Sequence, residues 1–187
     1  MVQAFGHLSA QMLLHIVLMN AVAPLLALAF RGTAARGPVR LLLPATLSQI
    51  VLLWAWHAPP ALAAVMRSGV LHAGMQASLF LAALWFWFTI IVARDARWQA
   101  ILALLVTGKL FCLMGVLLAF APRGLYPGLA TGSPQAALAD QQLAGLLMLL
   151  ACPATYVAAG IVIAARWLAR LEHDAARQRT PHARYPA

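Results

Sequence analysis

Six histidines and seven methionines in a chain with only four carboxylates decide which chemistry to consider first. Thioether sulfur selects Cu(I), and imidazole serves Cu(II) as well as Zn and Fe. The shortage of carboxylates argues against Mg or Ca. The two cysteines, Cys112 and Cys152, fall in separate apolar runs and offer neither a CxxC site nor the thiolate pair of a structural zinc centre. Copper is therefore the simplest metal for these donors.

Spacing gathers the donors on particular faces. Counting about 100° per residue from His7, Gln11, His15 and Met19 fall near 40°, 80° and 120°, with Met12 near 140°, so one face of the helix from His7 to Ala27 carries them all. A lipid-facing helix gains nothing from imidazoles, because an unpaired polar group in hydrocarbon costs several kcal/mol, so this face is expected to look inward. His57 closes a second apolar run. His72, Met75 and Gln76 open a third, and Gln141, Gly145, Met148 and Cys152 share a face of the last. The expected site takes His15, His57 and His72 as imidazole ligands, with His7 as a further one and Met12, Met75 and Met148 as softer donors. Gln11, Gln76, Asp140 and Gln141 are expected to support the ligands. Taken singly, a methionine is as well explained as a core gap-filler and a histidine as a packing residue. Asp140 has two open readings, a cap on the helix it begins or a group orienting a histidine.

The elements that must position these residues are membrane helices. With 64% hydrophobic and 9% charged residues and a mean hydropathy of +0.85, the 187 residues cannot form a soluble globular domain, in which about a quarter would be charged. The pattern predicts an all-α, polytopic helical bundle of about five spans, near residues 8–30, 40–57, 70–93, 98–120 and 141–168. Residues 1–170 form one membrane domain, and 171–187 form a short cytoplasmic tail. An irregular loop is expected over 123–139, from its glycines and prolines. The first run is too long for a signal-peptide core and reads as a retained span.

A net charge of +9 raises the question of nucleic acid, but the arginines sit in the gaps between spans and in the tail, which is a membrane-orientation signal. Arg31, Arg36 and Arg40 follow span one, Arg94 and Arg97 follow span three, and five more close the chain. By the positive-inside rule the N-terminus is outside and the C-terminus cytoplasmic. That orientation puts the four membrane-associated histidines in the outer half. Lys109, near the middle of span four, has no acid at its depth and is expected to bond a backbone carbonyl, with snorkelling or a transport path as alternatives.

Ordered along the chain, five blocks resemble the CtaG-type cytochrome c oxidase assembly factors. They are Gln11-Met12-Leu13-Leu14-His15 with Ala23-Pro24-Leu25-Leu26; Trp56-His57-Ala58-Pro59; and His72-Ala73-Gly74-Met75-Gln76-Ala77-Ser78 leading to Phe86-Trp87. The last two are Leu117 to Arg123 with Leu125-Tyr126-Pro127, and Asp140 to Met148. The resemblance covers about residues 7–165. It implies a non-enzymatic role in building the oxidase copper centre, in a bacterial inner or plasma membrane, with oxidase subunits or another copper chaperone as partners. Where many relatives resemble His-x-x-x-His in span one, this chain has Gln11 and His15, and Gln76 stands where some relatives have a second histidine. Two rival readings accompany it: a haem-binding electron carrier using His15 and His72, and a metal-free scaffold docking on an oxidase or another membrane complex through close-packing faces at Ala144 and Gly145; a homo-oligomer is left open as a further partnership.

Overall fold

In hydrocarbon an apolar run satisfies its backbone by hydrogen bonding within a helix, and every element of this protein is helical among the described residues. The computed structural model describes residues 6–32, 39–93, 96–126 and 133–179. The first span is α1 (His7–Val17), a π-helical turn (Leu18–Val22) and α2 (Ala23–Ala29), running on into a 3-10 turn (Phe30–Gly32). After a second 3-10 turn come α3 (Leu42–His57), the short α4 (Pro59–Val65), α5 (Gly69–Val92), α6 (Arg97–Ala119) and α7 (Pro134–Arg179). Four helical stretches are long and apolar enough to cross a membrane: His7–Gly32, Gly69–Val92, Arg97–Ala119 and Pro134–Gln178. The remaining expected span, α3, has 16 residues. At 1.5 Å per residue it reaches about 24 Å, short of a core of roughly 30 Å.

Two boundaries differ from the sequence expectation. Residues 134–139 begin α7 where a loop was expected, because Pro134 suits a first helical position and the alanines after it favour helix. At the other end α7 continues through Arg179 where a tail was expected. Alternating Arg, Glu, Asp and Ala from Arg170 onward makes a polar helix that runs on past the apolar span. Of the residues used for orientation and loops, Arg36, Arg94, Pro127, Gly128, Gly132, Pro181, His182, Arg184 and Pro186 lie outside the described residues.

The π turn follows from Pro24, which has no N–H to give and whose ring crowds the preceding turn. Ala23 N–H bonds Leu18 O, five residues back, so Met19 O loses the donor that an α-helix would supply. Trp87 of α5 replaces it: its indole N–H donates to Met19 O at 3.0 Å. Deeper in, Tyr156 of α7 packs among Phe86, Trp87 and Phe111, with ring centroids 5.2–5.8 Å away, and its hydroxyl accepts from the Gln49 amide.

α6 and α7 share the most extensive seam, and two glycines make it close. A Cβ on Gly145 would lie 2.5 Å from Ala119 N and 2.7 Å from Gly115 O; one on Gly115 would lie 2.9 Å from Leu149 N. These are backbone atoms, which cannot swing aside. Gly145 therefore serves packing within this chain. We predict that Gly145→Val destabilises the detergent-solubilised protein by at least the roughly 1–3 kcal/mol typical of overpacking, read as a lower melting temperature. Gly74→Ala, where a Cβ meets nothing within 4 Å, should be neutral or stabilising. Equal melting of the two variants would contradict the seam.

Candidate metal centre

His57 is the last residue of α3, and its ring folds back one turn, placing Nδ1 2.6 Å from Leu53 O. A carbonyl oxygen only accepts, so Nδ1 carries the proton and Nε2 keeps its lone pair. That lone pair faces Met12 Sδ of α1 at 3.2 Å, and a thioether has no proton to donate. His15, one turn further along α1, meets the His57 ring edge to face, at 5.4 Å between centroids and 84° between planes. Both His15 ring nitrogens are buried and fall short of a well-formed hydrogen bond, although the backbone of Gln11, one turn back, still acts on the ring. Met12, His15 and His57 are 0%, 1% and 4% exposed, so water does not satisfy these lone pairs from bulk. The α1 face inferred from spacing thus points inward, with Gln11, Met12, His15 and Met19 all buried.

The ends of the helices are tied so that α1 meets α3 at this point. Asp140 of α7 accepts from Leu8 N–H at 2.9 Å and from Ser9 N–H at 3.1 Å, so its carboxylate caps α1 from across the bundle. Gly6 makes room: a Cβ there would lie 2.2 Å from the Asp140 carboxyl carbon. Neither expectation for Asp140 describes this use, because α7 begins six residues earlier and its free N–H groups lie elsewhere. Gln141 beside it accepts from Leu125 N–H at 2.7 Å and donates to Leu118 O at 3.2 Å, fixing the turn after α6. From that turn Tyr126 donates its hydroxyl to His57 O at 3.0 Å. Burial pushes this phenol up to about 12. It therefore remains a donor, and the stability it contributes is complete below its unfolded value near 10 and is lost as pH rises through its folded one.

The other expected residues are distributed as follows. His72 is half-buried near the start of α5, within electrostatic range of His15. Among the described residues no three of His, Cys, Asp or Glu are gathered as a metal group, so the expected imidazole trio is not assembled, and the donors in mutual contact are His57, Met12 and His15. His7 is exposed at the first position of α1, about 12 Å along the axis from His15. Met75 is buried and accepts from the Gln11 amide at 3.5 Å. Gln11 Oε1 and both amide atoms of Gln76 are buried without partners among the described residues. Met148 lies in the apolar core, and Cys152 accepts from Asn20 of the π turn at 3.3 Å. Tyr126 and the Leu53 carbonyl had no place in the sequence reading of the site. The i−4 relation of Leu53 to His57 was the one available signal.

Of the readings open for Lys109, a bond to a backbone carbonyl is not formed among the described residues, and its exposure leaves the side chain free to snorkel. It is exposed on α6, between exposed Leu105, Val106 and Leu113 and the more distant Leu102 and Val116, without a hydrogen bond to any described residue. Twelve residues after the start of α6 and ten before its end, it stands roughly 15 Å or more from either terminus.

The model of a family described as cytochrome c oxidase caa3 assembly factor matches residues 2–170. Comparison with the curated proteins and with the solved structures gives no match.

The proton position on His57 is directly measurable. In ¹⁵N spectra of histidine-labelled protein at neutral pH without metal, His57 should show a protonated Nδ1 and a bare Nε2. A protonated Nε2 would remove the lone-pair contact with Met12.

Proposed function

Because the chain belongs to the family of cytochrome c oxidase caa3 assembly factors, we propose that it carries copper for the oxidase copper centre, holding one ion between His57 Nε2, Met12 Sδ and His15. One observation supports this most: two buried lone pairs, nitrogen and sulfur, face each other at 3.2 Å with no proton between them. That contact is unfavourable unless a cation is shared. Bonds of roughly 2.0 and 2.3 Å, as nitrogen and sulfur donors make to such ions, would close an angle of about 95° at the metal. His15 supplies a third donor: with one ring nitrogen turned to the backbone of Gln11, the other is available to the ion.

The donor set suits transfer. Two imidazoles and a thioether bring no negative charge and leave coordination positions open, so a stronger site on an acceptor can take the ion by ligand exchange. Buried donors exclude water from the ion while it is held. The family's chemistry and the arginine distribution both favour entry from the periplasmic side, where the His57 end of the bundle would lie. A haem between His15 and His72 fits less well, because His57 already occupies the edge of the His15 ring.

Copper held this way must be handed to a partner, and Lys109 marks where one docks. A cation at mid-bilayer depth on an outward face is costly and is found almost always paired. Among the described residues a second copy of this chain supplies no carboxylate at that depth, because Asp140 lies near the start of α7 and Glu172 and Asp174 lie in its polar end; Asp95 falls, in sequence, between two spans. The fitting partner is a membrane helix of the oxidase with an acidic residue near its middle.

Two experiments test these points. Purified protein titrated with Cu(I) against a competing chelator should bind about one ion per chain. Met12→Leu, which keeps the volume, and His57→Ala should each weaken binding by more than the roughly 10–100-fold that loss of an outer hydrogen bond costs. Binding equal to wild type in both would dispose of the site. For docking, Lys109→Arg should co-purify with the oxidase as wild type does and Lys109→Glu should not, with copper binding unchanged in both. Equal co-purification of the Glu variant would refute the charge pairing.

A further inference from the structure

At the opposite end from His57, a cavity of about 630 Å³ opens between α2, α5 and α7. Four guanidinium groups line it: Arg31 after α2, Arg97 at the start of α6, and Arg166 and Arg170 one turn apart on α7. Among the described residues no carboxylate lines it. The rest of its wall is almost wholly apolar, with Leu28, Ile90 and Val162 among the contributors, and it follows α7 from Arg170 down to Thr155. Fifteen residues of α7 correspond to about 22 Å.

We propose that this cavity is a binding site for an anionic diacyl phospholipid, its phosphate held by the arginines and its acyl chains lying along the apolar wall. The reasoning starts from charge. Arg31, Arg166 and Arg170 bring three like charges onto one opening, where they repel one another, and a shared anion offsets that repulsion; guanidinium groups match phosphate oxygens through paired N–H donors. An orientation signal alone requires arginines anywhere in the connections, whereas these meet at one opening. Depth is consistent too: Arg166 and Arg170 lie 26 and 30 residues past Asp140, about 39 and 45 Å along α7, at the level of the headgroups. An amphipathic anion of another kind, haem with its propionates, does not fit, because the lining holds no histidine, cysteine, methionine or tyrosine to ligate iron. A free phosphate would use the arginines and leave the apolar length without a function. Basic pockets between membrane helices are a recurrent way of holding such lipids.

The test uses the full chain purified in a neutral detergent and examined by native mass spectrometry and thermal unfolding, after adding phosphatidylglycerol, cardiolipin, phosphatidylcholine or inorganic phosphate. The anionic diacyl lipids should stay bound through delipidation and raise the melting temperature, and phosphatidylcholine and phosphate should do neither. The triple variant Arg31→Gln/Arg166→Gln/Arg170→Gln should weaken retention about a hundredfold, at roughly a factor of five for each arginine. Ala159→Phe, which fills the cavity and leaves every charge in place, should also expel the lipid, and so guards against a change of membrane orientation in the triple variant. Both variants should bind copper as wild type, which separates this site from the metal reading. Equal retention of phosphatidylcholine, stabilisation by phosphate alone, or undiminished lipid in the filled variant would each overturn the proposal.

Discussion

A histidine whose one proton is committed elsewhere sets the character of this protein. Leu53 O takes the Nδ1 proton of His57, and Nε2 is left to face a thioether in a place closed to solvent. Hydrogen bonding cannot relieve that contact, because neither atom has a proton to give. In a packed interior such a pair is tolerated only if the helices carrying it are held firmly by other interactions.

Those interactions are concentrated at the start of α7. Asp140 caps α1, Gln141 bonds both the end of α6 and the turn after it, and Tyr126 of that turn reaches His57 O. Two neighbouring side chains therefore fix the ends of three other elements relative to α7. Below them the Gly115–Gly145 approach holds α6 against α7. The π turn at Leu18–Val22, with Trp87 covering the displaced Met19 carbonyl, sets the course of the first span beyond His15. The blocks that carry the family likeness in the sequence coincide with this framework.

Much of this was legible before any coordinates. Periodicity alone put Met12 and His15 on the buried face of α1, because a polar stripe in an apolar run has few places to go, and the apolar runs marked the long helices to within a few residues except at the two ends of α7. The short α4 lies between two expected spans and was not foreseen. What spacing does not carry is the identity of partners across the bundle. Asp140 was readable as a cap, but that it caps a helix 131 residues away depends on how the ends align. Which imidazoles meet was equally closed to sequence reasoning: His57 meets both Met12 and His15, because register and side-chain rotamer decide contacts of a few ångströms. Which face of α6 carries Lys109 was left open, because a single charge in an apolar run fixes neither an inward nor an outward direction.

The direct measurement of the central claim is X-ray absorption at the copper edge on purified protein loaded with one equivalent of Cu(I). The account predicts a first shell of imidazole nitrogen together with one sulfur scatterer, and loss of the sulfur in Met12→Leu with the nitrogen retained. A spectrum without sulfur, or one in which Met12→Leu changes nothing, would contradict it.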